Sequence, residues 1–309
     1  IMNKLRIGIS PINNQLTAGI VVFFALLSAF GLIGCRQISG NKIKDHEFNS
    51  GRAYRDVVYQ ENLGPRTPGG EAHKQIIEWL TTELTASEWQ VELQVSNYQG
   101  KEVSNLIAKR EEGDQFILLG AHYDSRIYAD RDPDPSSQNQ AVPGANDGGS
   151  GVAVLLEMAR ILPADLNVPV RLVFFDAEDN GGLEDWEWIM GSRAFVENYE
   201  NLPEIAIIID MIGDADLDIY YEYNSDQFLM ERIWNQAEKL GYGNYFIKEY
   251  RHSVLDDHTP FVEAGVPAVD IIDLDYKYWH TTADTADKVS PDSLEVVGNT
   301  LFAWLMSIQ

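Results

Sequence analysis

Val168-Pro169-Val170-Arg171-Leu172-Val173-Phe174-Phe175-Asp176-Ala177-Glu178-Asp179 is an apolar run that turns into acid. Residues 168–175 are rich in Val and Phe, as a buried strand is, and Glu178 and Asp179 fall just beyond its end. The same pattern recurs along the chain. Phe116–Gly120 is a short apolar run followed by His122 and Asp124. Ile205–Ile209 is followed directly by Asp210, and Val266–Ile272 leads into a loop carrying His280. Helical faces lie between these runs. Glu71–Leu84 aligns Ala72, Ile76, Ile77, Leu80 and Leu84. Ser150 caps a segment through Leu162 with Val152, Leu155, Leu156 and Ala159 inward. Gly191–Tyr199, Asp226–Leu240 (stopped by Gly241) and Pro291–Ile308 complete the helices. Near the start, Trp89, Val91, Leu93 and Val95 alternate as a half-buried strand does, and Val103–Ala108 is a second short apolar run. Strands alternating with helices imply a sheet covered on both faces. No long linker, repeat or low-complexity block follows Arg52. The expectation is an α/β fold in a single domain, with a central, twisted, mostly parallel (mixed) sheet and helices on both faces.

In a parallel sheet the carboxyl ends of the strands share one edge, where ligand crevices form. His122, Asp124, Glu178, Asp179, Asp210 and His280 therefore converge, joined by Asp147 from the glycine-rich turn Gly144–Gly149 that precedes the helix at Ser150. So many carboxylates would repel one another, each raising its neighbours' pKa, unless a cation neutralised them. Imidazole and carboxylate ligands without thiolate suit zinc in a catalytic site that keeps one position open. His46 and His73 read as tether and helix-surface residues without a role. The acidic, proline-bearing stretch Ile127–Pro143 reads as a surface loop beside the site.

Composition narrows the partners. The 309 residues carry 23 Lys+Arg against 48 Asp+Glu, a net charge of −25, which argues against nucleic acid. One cysteine excludes a disulfide framework and a Cys-based zinc site. That cysteine ends an apolar run, Leu16–Gly34, preceded only by Lys4 and Arg6 among charged residues, and Leu32-Ile33-Gly34-Cys35 resembles the bacterial lipobox. The expectation is an export signal over 1–34, a lipid anchor at Cys35, a polar tether over 35–50 and a catalytic domain over 51–309. A signal anchor across the bilayer is the alternative. Either way the domain is exported and tethered to the cell envelope.

Eight segments taken together resemble the zinc-dependent aminopeptidase and glutaminyl-peptide cyclotransferase superfamily. They are Gly64-Pro65-Arg66-Thr67-Pro68-Gly69, Ala121-His122-Tyr123-Asp124-Ser125, Pro143-Gly144-Ala145-Asn146-Asp147, Phe175-Asp176-Ala177-Glu178-Asp179, Asp210-Met211-Ile212-Gly213, Asp256-Asp257-His258-Thr259-Pro260-Phe261, Gly265-Val266-Pro267 and Trp279-His280-Thr281. They run from about Leu63 to the C-terminus in the family's order.

The resemblance implies a zinc-exopeptidase-like domain acting on peptide N-termini. For a cyclase it implies one Zn²⁺ held by Asp147, Asp179 and His280, with Glu178, Asp210 and Asp256 catalytic and Trp279 walling the substrate pocket. Asp210 and Asp256 would share hydrogen bonds. For an aminopeptidase it implies two zinc ions, the second held by His122 and Asp210 with Asp147 shared. Asp256 and the Trp279-His280 pair resemble the cyclase branch, whose product is pyroglutamate with release of ammonia. Three departures stand out. Asp179 replaces the usual glutamate ligand, one methylene shorter. Asp270 stands where cyclases usually carry a histidine. The second pocket tryptophan corresponds to Trp186 or Trp188, with spacing that selects neither. A binding protein on an inactive hydrolase scaffold is the third alternative, and it predicts no bound transition metal and no turnover.

Overall fold

The structure is a computed structural model and describes residues 46–111 and 113–309. The expected export signal, the Cys35 anchor and most of the tether lie outside these residues. No helix among the described residues is long and apolar enough to cross a membrane.

Chain order is α1 (Ser50–Leu63), α2 (Glu71–Ala86), β1 (Gln90–Tyr98), β2 (Lys101–Lys109), β3 (Ile117–His122), α3 (Gly149–Ile161), β4 (Val170–Phe175), α4 (Met190–Asn198), β5 (Ile205–Asp210), β6 (Ile219–Glu222), α5 (Gln227–Lys239), β7 (Phe246–His252), α6 (Thr259–Glu263), β8 (Ala268–Ile272) and α7 (Pro291–Ile308). Six strands form the central sheet in the order β1-β2-β4-β3-β5-β8. β4, β3, β5 and β8 are parallel, while β1 and β2 add an antiparallel hairpin at one edge. The expected mixed, mostly parallel α/β sheet is therefore present.

Alternation along each central strand sends side chains to opposite faces. Leu172 and Phe174 of β4, Leu119 of β3 and Ile207 and Ile209 of β5 join the core packed by α1, α2, α3, α5 and α7. Val173 and Phe175, Leu118, and Ala206 and Ile208 join a second core with Phe195 of α4 and Phe261 of α6. Phe175 meets Phe195 edge-on at 5.9 Å between centroids. Each such ring contributes on the order of 3–5 kcal/mol against truncation to Ala.

Some elements departed from expectation. α1 was not anticipated; Asn49 caps it by accepting the N–H of Arg52 at 2.8 Å. Phe48, ahead of the expected boundary at 51, is buried in the same core. Gly298 of α7 makes room for that ring, since a Cβ there would lie 2.2 Å from it. β6 and β7 form a separate parallel pair that the sequence does not announce: β6 has four residues and β7 is largely exposed, so neither offers a clear apolar pattern. β1 pairs only with β2, which leaves Leu93 and Val95 of its apolar face at 47% and 56% exposure.

Candidate metal centre

The four parallel strands deliver their carboxyl ends to one edge. β3 ends on His122, β5 ends on Asp210, Glu178 and Asp179 lie just past β4, and His280 lies eight residues past β8. Asp147 arrives from the turn before α3, whose N-terminal dipole favours negative charge there. Gly148 makes that approach feasible. Its φ is +77°, and a Cβ would sit 2.8 Å from the His122 ring. Ala177, Met211 and His280 also occupy the left-handed region, each next to or within the site. Non-glycine residues there cost on the order of 1–3 kcal/mol each and cluster where function constrains the backbone.

Two ligand-type clusters share Asp147. In one, His122 Nε2 lies 3.1 Å from Asp210 Oδ1 and 3.2 Å from Asp147 Oδ1. In the other, His280 Nε2 lies 2.8 Å from Asp179 Oδ1 and 3.8 Å from Asp147 Oδ2. Within each cluster the ligand atoms lie within 4.8 Å of one another, and every residue is buried. Asp147 Oδ2 and Asp179 Oδ2 are buried without a hydrogen-bond partner. Orphaned carboxylate oxygens beside imidazole nitrogens are the donor set that a divalent ion such as zinc completes. The shorter Asp179 still reaches His280 because its backbone is pinned. Its N–H donates to Asp124 Oδ2 at 3.3 Å, and its carbonyl accepts Arg126 Nη1 at 2.6 Å.

The electrostatics follow from this crowding. Burial disfavours a charged His122, yet hydrogen bonds to Asp124, Asp147 and Asp210 outweigh it and raise its pKa well above the usual imidazole value. Asp147 is correspondingly lowered, its burial outweighed by His122. Burial, then the neighbouring charge of Asp147, raises Asp179 to about 6. Burial raises Glu178 well above the ordinary carboxyl range, with Asp256, Asp179 and Asp257 adding repulsion. Burial and then Asp210 raise Asp256 to about 7. No hydrogen bond joins Asp210 to Asp256; the two expected to share one are coupled through charge alone.

Asp147, Glu178, Asp179, Asp210, Asp256, Trp279 and His280 all line one cavity of about 220 Å³. His122 stands behind it at 1% exposure. Trp188 lines the same cavity with its ring parallel to His280 at 6.1 Å, whereas Trp186 lies under Lys101. Of the two tryptophans left open by the sequence, Trp188 is the one that lines this cavity. A larger concavity of about 700 Å³ lies beside β1 and the end of α4, away from the clustered acids and histidines.

Several supporting residues escaped the sequence. Asp284 accepts the N–H groups of Asn146 and Asp147 at 2.9 and 3.2 Å and the Tyr276 hydroxyl at 2.7 Å. Arg66 is fully buried and donates to the carbonyls of Tyr123, Pro143 and Gly144, bracing the loops behind His122 and Asp147. His73 is corrected: it is buried, and its Nε2 lies 2.7 Å from Asp176 Oδ1. Its place three and seven residues before Ile76 and Leu80 on the buried face of α2 was the signal.

The profile of peptidase family M28 matches residues 105–305. Among solved structures, the chain is similar to a glutaminyl cyclase of Tannerella forsythia, with 34% identity, TM-score 0.79 and coverage of 84% of this chain and 98% of that one. It is equally similar in shape to a leucine aminopeptidase precursor of Bacteroides thetaiotaomicron, with 30% identity, TM-score 0.79 and the same coverage. It is also 25% identical over 289 residues to aminopeptidase YwaD of Bacillus subtilis (strain 168), where the match spans 85% of this chain and 58% of that protein.

Proposed function

The chain belongs to peptidase family M28, and from that premise we propose that it is a zinc-dependent glutaminyl-peptide cyclotransferase, converting N-terminal glutamine of peptides to pyroglutamate. What supports this reading most is the small cavity in which Glu178 and Asp256 stand beside two indoles, Trp188 and Trp279, over the Asp147-Asp179-His280 cluster. An aromatic-walled recess of that volume suits one side chain rather than a peptide lying across the site. The solved cyclase at 34% identity supports it further.

Asp147, Asp179 and His280 would hold the ion, which when bound supplies Lewis-acid polarisation of the side-chain amide carbonyl. The chain's own residues do the rest. Trp279 and Trp188 clasp the glutamine methylenes and hold the peptide's α-amine near its own amide carbon, an intramolecular alignment that lowers the entropic part of the barrier. Glu178, whose carboxyl faces the cavity, takes a proton from the attacking amine and returns it to the departing nitrogen. One C–N bond forms, one breaks, and ammonia leaves. The raised pKa of Glu178 suits a group that must accept and then donate near neutrality. Asp210 and Asp256 accept hydrogen bonds from the nitrogens and titrate as a coupled set. Incubation with a Gln-led peptide tests this: an intact chain lighter by one ammonia supports cyclisation, and released glutamine contradicts it.

A two-zinc aminopeptidase is the second reading, favoured by one observation: His122, Asp147 and Asp210 form their own ligand cluster. In that case Glu178 would activate water. Tethering to a membrane through Cys35 is part of the same proposal and rests on the sequence pattern of residues 4–35 alone.

A further inference from the structure

A third group of ligand-type side chains lies outside both clusters. Asp256, His258 and Asp270 each offer an atom within 4.8 Å of the others, and all are at most 4% exposed. Both oxygens of Asp270 and both ring nitrogens of His258 lack a hydrogen-bond partner. Among the described residues no lysine or arginine forms an ion pair with Asp256 or Asp270; besides the His258 imidazole, the charged neighbours of Asp270 are other carboxylates. A buried carboxyl in that position keeps a proton of its own, shares one with a neighbour or meets a cation.

The distances exclude a proton shared between His258 and Asp270 and match a common ion. His258 Nδ1 lies 3.8 Å from Asp270 Oδ2. That is too long for a proton shared between nitrogen and oxygen, which needs roughly 2.7–3.2 Å. It is close to the spacing of two atoms on one divalent ion, each about 2.0–2.2 Å from it. The same 3.8 Å separates His280 Nε2 from Asp147 Oδ2 in the first centre. The other face of His258 looks onto a carboxylate, at a separation longer than a formed hydrogen bond. Its Nε2 lies 3.4 Å from Glu222 Oε2. Glu222 is held as a carboxylate by the N–H groups of Asn224, Ser225 and Val254 and the Ser225 hydroxyl. A metal-ligating histidine turns its second nitrogen to such an acceptor, which fixes the ring and its tautomer. Two carboxylates and one dication also sum to zero charge, removing the repulsion.

We propose that Asp256, His258 Nδ1 and Asp270 form a third, buried site for a divalent cation of the zinc class, with Glu222 orienting the imidazole. Because Asp256 also lines the cavity, the ion would fix one of its oxygens and leave the other toward the substrate; only this consequence rests on the cyclase reading.

Anomalous diffraction at the zinc edge from crystals of the full-length protein grown with Zn²⁺ tests it. The expected result is a peak between His258 Nδ1, Asp256 and Asp270 besides that at Asp147, Asp179 and His280. A filled first centre with no peak at the third site overturns the proposal. Metal counting gives an independent readout: Asp270→Asn and His258→Gln should each lose one ion per chain relative to wild type, while His280→Ala loses a different one. An unchanged count in both variants also overturns it. Neither outcome depends on whether the enzyme cyclises or hydrolyses.

Discussion

Asp124 accepts the backbone N–H of Glu178 at 3.0 Å. The same carboxylate takes the N–H of Asp179 and the side-chain amide of Asn180, so one buried acid at the end of β3 sets the loop after β4. It ties a proposed proton carrier and a proposed metal ligand to a rigid strand. Asp124→Ala leaves those N–H groups unpaired. The expected result is a loss of metal affinity of about 10- to 100-fold, the usual cost of removing an orienting partner. Competition with a chelator measures it; unchanged affinity would mean that the loop holds itself.

Glu178 has no hydrogen bond through its carboxyl among the described residues, consistent with a group reserved for substrate. Glu178→Gln keeps shape and removes the proton site. It should lower kcat by roughly 10²- to 10⁴-fold with metal content unchanged. Near-normal turnover would take Glu178 out of the mechanism.

The two indoles differ in their second duties. Trp188 also carries the Arg126 guanidinium at 4.9 Å from its ring centre, and Arg126 holds the Asp179 carbonyl. Trp279 carries the exposed Arg131 instead. Trp279→Ala should therefore raise KM for a Gln-led peptide about tenfold, a loss near 1.4 kcal/mol, and lower Tm little. Trp188→Ala should raise KM and lower Tm together. Steady-state kinetics beside thermal melts separates the two.

The buried acids also set a pH dependence for the metal-free protein. Asp179 at about 6 and Asp256, Asp273 and Asp284 at about 7 all lie above the unfolded carboxyl value near 3.9. The folded state then binds protons more tightly than the unfolded one, so stability falls as pH rises from about 4 to about 7. His122 acts in the same direction, because its raised pKa gives stability that is lost as pH climbs through the folded value. Asp147, lowered, opposes them. Zinc needs ionised carboxylates, so its stabilisation should grow over the same window. Melting curves of chelated and zinc-loaded protein from about pH 5 to about pH 8 check this; parallel curves would contradict it.

The central sheet and the gathering of acids and histidines at one of its edges were legible because four apolar runs each led into an acid or histidine, and parallel geometry brings such ends together. His122, Asp179, Asp210 and His280 reach one edge by that rule and Asp147 joins them from the glycine-rich turn before α3, while their division into ligand sets came only from the family resemblance. What stayed hidden is support that has no local pattern. Asp284 and Arg66 act on backbone groups far along the chain, and although Arg66 falls in one of the family-like segments, no local pattern marks either residue as a brace. Glu222 was invisible because β6 is too short to read as a strand. His73 was readable in principle, since its register matched Ile76 and Leu80, but polarity outweighed periodicity.

Initial rates on one metal-quantified preparation, with a Gln-led peptide and a leucine anilide side by side, test the central claim. The account predicts rapid ammonia release with pyroglutamyl peptide as product and little anilide cleavage. Fast anilide cleavage, with the Gln-led peptide shortened by free glutamine, would contradict it.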